Sequence, residues 1–186
     1  MSRLLLENGI EPVMQISCRD RNKIALQSDI LGANALGIKN ILCITGDSVK
    51  AGDQQNTKAV HEFESVKLLK QIQSFNNGID PTYELLSDHR TEIFAGAAAD
   101  PSYKNLKTIK MRTEQKKEAG ARFIQTQMIM DKKYLIDFCD EISKPLNLPV
   151  LAGVFLLKSY KNGLFINKFV PGANIPDQIL NRLKES

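Results

Sequence analysis

Tryptophan is absent from the 186 residues, and aromatic side chains make up only 6% of them. With no interleaving of aromatics and basic residues, a stacking platform for nucleic acid is excluded. Cysteine is nearly as scarce. Cys18, Cys43 and Cys139 are odd in number and have neither metal-ligand nor redox spacing. Each lies in an apolar segment and is expected as a reduced core residue of a cytoplasmic protein. The two histidines, His61 and His89, are too few and too isolated for a metal site. No apolar stretch approaches a membrane span, and no signal-peptide core precedes a small-residue cleavage site. A P-loop, a nucleophile elbow and the glycine fingerprint of dinucleotide-binding folds are all missing.

What remains has the composition of a soluble globular domain, 42% hydrophobic and 25% charged, in a length that suits one domain with a real core. The net charge of +4 arises from lysines and arginines scattered among nearly as many acids. That surplus is either a solvated surface or a basic face for an anionic ligand. Along the chain, short apolar strands alternate with amphipathic helices. Strands are expected over Val13 to Ser17, Asn40 to Ile44, Glu92 to Ala95, Arg122 to Gln127 and Leu148 to Leu151.

The residues Arg3 to Gly9 resemble the end of a helix. Asn22 can cap the next one, in which Ile24, Leu31 and Ala35 share a face before Gly37 ends it. Phe63, Val66, Leu69 and Ile72 mark another helix, broken by Asn76-Asn77-Gly78. Further helices are expected from Leu106 to Ala119, along Leu135, Phe138, Cys139 and Ile142, and from Asp177 to Lys184. This rhythm implies parallel βα units in a sheet covered on both faces. Either an open doubly wound sheet or part of a closed barrel fits, because a full (β/α)8 barrel typically needs about 250 residues.

The strand tips carry the chemistry. Thr45-Gly46-Asp47 closes an apolar strand, and a carboxylate in that place is not explained by packing. Gln15 and Ser17, Gly96 to Asp100, and Thr126 with Gln127 end three other strands. One polar tip alone is commonly structural; several together point to a shared site at one rim. Ala97-Ala98-Ala99 would let a flat ring or a backbone approach closely, or reflects loose packing. Lys116, taken alone, is a surface residue.

Several segments in order and spacing resemble methylenetetrahydrofolate reductase. They are Gln15-Ile-Ser-Cys-Arg-Asp20, Leu31-Gly-Ala-Asn-Ala-Leu-Gly-Ile38, Ile44-Thr-Gly-Asp47 with Ala51-Gly-Asp53, and Glu64-Ser-Val-Lys-Leu-Leu69. Phe94-Ala-Gly-Ala-Ala-Ala-Asp-Pro101, Lys116-Lys-Glu-Ala-Gly-Ala-Arg-Phe-Ile-Gln-Thr-Gln127, Leu151-Ala-Gly-Val154 and Val170-Pro-Gly-Ala-Asn-Ile-Pro-Asp177 complete the set.

The resemblance implies one partial TIM-barrel domain over residues 1–186, an α/β fold of (β/α)8 type with about five βα units. The first two strands and the last strand of the family pattern are absent from this sequence, and with them the family's general-acid glutamate. It further implies FAD at the C-terminal rim, NADH or NADPH as reductant, and reduction of 5,10-methylenetetrahydrofolate to 5-methyltetrahydrofolate. Tetrahydromethanopterin is an alternative pterin.

By motif, Asp47 corresponds to the acidic residue beside the flavin, which tunes its potential and stabilises the cationic iminium form of the folate. Gln127 corresponds to the strand-end glutamine that binds folate or nicotinamide, and Asn162 to a polar amide touching substrate. The implied cofactor shell adds Gln15, Thr45, Gly46, His61, Glu62, Gly96, Asp100, Arg112, Gln115 and Lys116. Arg112 and Lys116, one helical turn apart, suit a pyrophosphate. Gln15, Thr45 and His61 replace the His, Arg and aromatic residue of some relatives. The alternatives are a non-catalytic flavin- or folate-binding chain, or one subunit of a split enzyme. A homo-oligomer or a complementing reductase or methyltransferase subunit is the expected partner, with no nucleic acid and no membrane.

Overall fold

The computed structural model describes residues 1–80, 90–102, 105–170 and 173–185. His89, Pro171 and Gly172 of the sequence reading lie outside the described residues. In chain order the elements are α1 (Ser2–Glu7), β1 (Val13–Ser17), α2 (Lys23–Ala35), β2 (Asn40–Ile44), α3 (Ser65–Asn76) and β3 (Phe94–Ala99). They continue with α4 (Leu106–Glu118), β4 (Phe123–Met128), α5 (Lys132–Phe138), β5 (Val150–Gly153), α6 (Tyr160–Phe169) and α7 (Asp177–Glu185). A π-helical turn over Cys139–Ser143 prolongs α5.

The five strands form one parallel sheet in the order β1-β2-β3-β4-β5. A doubly wound sheet reverses direction at a switch point, whereas every strand here neighbours its predecessor, as the wall of a (β/α)8 barrel requires. The structure is therefore an incomplete barrel of that type.

Register then decides which side chains share a face. Gln15 pairs with Leu42, Leu42 with Gly96 and Gly96 with Phe123, so these lie on one face. Ile16, Cys43, Ala97 and Ile124 lie on the other, which is packed by Leu26 and Ile30 of α2, Leu68, Leu69, Ile72 and Phe75 of α3, and Ile109 of α4. Full burial of each large aliphatic is worth about 1.5–3 kcal/mol, so this helix-covered face holds most of the stability. The opposite face is only partly covered: Leu42 and Phe123 are buried on it, but Val13, Phe94 and Leu151 are 38%, 39% and 49% exposed. Coverage of both faces is thus not realised, because five strands close only part of a barrel wall and the inward side meets solvent.

Several expectations are corrected in detail. The buried stripe of α2 is Leu26, Ile30 and Ala33, on the side opposite Ile24, Leu31 and Ala35; Ile24 is 74% exposed. Both stripes have helical spacing, and only the position of the sheet selects between them. The third strand starts at Phe94 and runs on to Ala99, since pairing to β2 and β4 outweighs the low strand propensity of its alanines and glycine. The last strand begins at Val150, two residues beyond expectation, with Leu148 buried ahead of it. Phe63 precedes α3, and Phe75 is buried at its end. Cys18 and Cys43 are buried, but Cys139 is only partly so. Helix α6 has no counterpart among the sequence expectations.

Asn22 does cap α2, accepting from the Ala25 N–H at 2.9 Å. No helix among the described residues is long and apolar enough to cross a membrane.

Candidate functional site

At the C-terminal strand ends, a cleft of about 510 Å³ opens between Gln15 in the middle of β1, the tips of β2 to β4 and the helix α4. Its lining brings together Gln15, Thr45, Gly46, Asp47, Asp100, Arg112, Lys116 and Gln127. A second hollow of about 650 Å³ shares Thr45, Ser65, Arg112 and Lys116 with it and adds Gln115 and the start of α3. The two meet at the pair of cations on α4.

The tip of β2 is built by two local devices. Thr45 Oγ1 accepts the Ser65 N–H at 3.2 Å and donates to Ser65 Oγ at 3.4 Å. Glu64, at the cap position of α3, makes no side-chain cap, so Thr45 satisfies one of the helix's orphan donors and ties the strand to the helix. Gly46 follows at φ +93°, and a Cβ there would stand 2.4 Å from Ser17 Oγ and 2.8 Å from Arg19 Cβ. Only glycine allows this turn, which leaves Asp47 exposed at the cleft mouth.

Lys116 Nζ donates to the carbonyl of Ala98 at 2.7 Å, crossing from α4 to the end of β3. Burial, and then the neighbouring Arg112 guanidinium, push its pKa below the ordinary lysine value. Asp100 closes a turn, accepting from both the N–H and the hydroxyl of Ser102 at 2.9 and 2.6 Å. Thr113, buried on α4, spends its hydroxyl on the carbonyl of Ile109. Paired cations over a small-residue strand end suit a phosphorylated or otherwise anionic ligand. Carboxylates and an amide across the cleft can orient a polar ring.

Four of the residues implied by resemblance do not line either hollow. Glu62 Oε2 accepts the Lys23 N–H at 2.7 Å at the start of α2. His61 occupies a loop at φ +43°, its N–H directed at the Arg19 carbonyl. Asn162 sits in the first turn of α6, accepting from the Lys158 N–H at 3.4 Å. Gly96 is buried, and a Cβ on it would meet the Phe123 ring at 2.2 Å. Ser65, Gln125 and Thr108 line the cleft without having been singled out from the sequence. Only the alternation expected of a strand over Arg122 to Gln127, which pairs Gln125 with Gln127, offered a sequence signal for one of them.

A strand-end cleft lined by paired cations, carboxylates and an amide, set on a barrel wall, places the chain among α/β proteins of the (β/α)8 type. The sequence places it further. Residues 1–186 match the family model described as methylenetetrahydrofolate reductase, and the chain belongs to that family. It is 25% identical over 185 residues to a probable methylenetetrahydrofolate reductase (NADPH) of Caenorhabditis elegans, covering 95% of this chain and 25% of that protein. It is 23% identical over 175 residues to methylenetetrahydrofolate reductase 1 of Schizosaccharomyces pombe, covering 94% of this chain and 27% of that protein. The chain thus spans about a quarter of the length of these relatives. A solved structure matched over 100% of this chain and 80% of its own is an uncharacterized protein from Clostridium thermocellum that binds two copies of 5-methyl-5,6,7,8-tetrahydrofolic acid. Its TM-score is 0.44, at 14% identity.

Proposed function

We propose that the chain forms the flavin- and folate-binding wall of a reductase that converts 5,10-methylenetetrahydrofolate to 5-methyltetrahydrofolate at the expense of NAD(P)H. The observation that carries this reading is the convergence of Asp47, Asp100, Arg112, Lys116 and Gln127 on one strand-end cleft in a chain of this family. The donor set fits FAD. Arg112 and Lys116 supply two cations one helical turn apart for a pyrophosphate, and the alanine-lined end of β3 leaves room beside a flat ring. FAD, when bound, carries the hydride between NAD(P)H and the folate.

Asp47 then acts by its charge. Exposed at the mouth, its carboxylate favours positive charge developing on a pterin ring close by. Gln127 binds and orients the pterin or nicotinamide from the end of β4. The assignment of Gln115, beside the second hollow, to the same cofactor is part of this proposal.

The test is spectroscopic and kinetic. The purified chain, supplied with FAD, is expected to retain bound flavin absorbance and to pass electrons from NADH to menadione. Asp47→Ala is expected to keep the flavin and lose folate reduction. A chain that retains no flavin would defeat the reading. A second reading is favoured by the open inward face bearing Val13, Phe94 and Leu151: a binding module that becomes a reductase only when completed by further strands. It predicts flavin or folate binding without electron transfer.

A further inference from the structure

The ladder between β4 and β5 slips by one residue. Ile124 faces Val150 and Gln125 faces Leu151, but Gly153 faces Met128 rather than Gln127, so β4 carries an extra residue across Thr126–Gln127. Such a bulge breaks the two-residue alternation and re-aims a side chain. Here Gln127 lines the cleft, while its successor Met128 joins the apolar cluster under α6 and α7.

Three features hold the slip in place. Thr126 is buried, and its Oγ1 accepts the Gly153 N–H at 2.8 Å. The Gly153 carbonyl accepts the Ile129 N–H at 2.8 Å, beyond the extra residue. Gly153 leaves no space for a side chain: a Cβ would stand 2.8 Å from the Thr126 carbonyl oxygen and 2.9 Å from that of Gln127. The bulge in turn orients the amide. The Met128 N–H points at Gln127 Oε1 at 3.3 Å. A backbone N–H can only donate, so the amide oxygen must face it, and the NH2 group is the end left for the cleft.

We propose that the β4 bulge, clamped by the Thr126 hydroxyl to Gly153, is a positioning device that presents Gln127 to the ligand as a hydrogen-bond donor. The ligand group at this point is therefore an acceptor, a ring nitrogen or a carbonyl oxygen. Thr126 is a positioning residue, acting through Gln127; the choice of a folate as probe rests on the function proposed above.

The experiment combines calorimetric binding of 5-methyltetrahydrofolate with nitrogen-15 NMR of the Gln127 side-chain amide in the free chain, with thermal melts confirming each variant's fold. Thr126→Val, which removes the acceptor at nearly constant volume, is expected to weaken binding about tenfold, the scale of one lost hydrogen bond. Thr126→Ser restores it. On a Gln127→Ala background, Thr126→Val adds nothing. Gln127→Glu, which keeps the contact to Met128 but has no donor, binds as poorly as Gln127→Ala. In the free chain the Gln127 amide signals shift toward solvent values in Thr126→Val and return in Thr126→Ser.

Equal loss from Thr126→Val on both backgrounds, wild-type binding by Gln127→Glu, or amide signals indifferent to Thr126→Val would each overturn the proposal. Should Thr126→Val not fold, Gly153→Ala, which must displace the same bulge, takes its place in the comparison. If the wild-type chain binds no folate while the amide signals respond as described, the positioning stands and the folate reading falls.

Discussion

Lys116 is held in an environment that works against its own charge. It leaves solvent to reach the Ala98 carbonyl, and burial, followed by Arg112, lowers its pKa from 10.5. A lowered lysine pKa means that the unfolded chain holds this proton more tightly than the folded one. As pH rises through the folded value, the native state releases the proton first, and stability rises until the unfolded lysine also deprotonates near 10.5. Lys116→Met removes this dependence. The unfolding free energy of the variant minus that of the wild type should be flat at neutral pH and fall as pH climbs toward 10.5, as read from urea denaturation at a series of pH values. A difference that grows with pH would contradict the assignment. An anion placed between Arg112 and Lys116 should relieve the same penalty. Inorganic pyrophosphate is therefore expected to raise the melting temperature of the wild type and to do so less in Lys116→Met.

At the scale of elements, β3 depends on a glycine whose purpose is packing. Phe123 of β4 lies across Gly96 and stacks on Phe94, with ring centroids 5.6 Å apart and planes 4° from parallel. An alanine at 96 would drive a methyl into that ring, so Gly96→Ala should cost about 1–3 kcal/mol, the usual range for overpacking. Phe123→Leu in the same chain should recover part of the loss, a coupling that chemical denaturation of the four variants would measure. Independent, additive effects would show that the ring is not what excludes the methyl.

The same glycine illustrates what a sequence conceals. Thr45, Asp47 and Gln127 are legible as residues of the cleft because strand ends are visible in the hydrophobic pattern, and strand ends face the rim. Gly96 follows the strand expected to end at Ala95, but it lies inside β3, and its partner Phe123 comes from the next βα unit, a contact that no local pattern reports. The α2 stripe fails for a related reason: Ile24, Leu31 and Ala35 fit the helical period as well as Leu26, Ile30 and Ala33 do, and only tertiary packing breaks the tie. Glu62 is tied to the α2 N-terminus by a hydrogen bond across 39 residues of chain, which spacing cannot foresee. Helix α6 escapes the pattern because its exposed side carries Leu164, Phe165 and Phe169.

For the molecule as a whole, the consequence of an incomplete wall is an apolar surface with nowhere internal to go. Val13, Phe94 and Leu151 face outward from the open side of the sheet, and β1 and β5 each pair with only one strand among the described residues. Open edges and an exposed apolar sheet face are the two features that soluble proteins ordinarily suppress, by charge, by bulges or by covering them. Here the bulge lies in β4, inside the sheet, and does not block the edge of β5, while Arg122, stacked over Phe94 at 5.2 Å, partly shields the face. Neither covers Val13 or Leu151. The isolated chain is therefore expected to self-associate as its concentration rises, seen as a growing weight-average sedimentation coefficient and as binding of a hydrophobic dye to the native state. Val13→Lys with Leu151→Lys should suppress both while leaving circular dichroism unchanged, because both side chains lie on the face away from the helix-covered core. Association that persists unchanged in the double variant would move its origin elsewhere, most directly to the exposed Phe165–Phe169 pair on α6, where the same charge substitution would then have to abolish it.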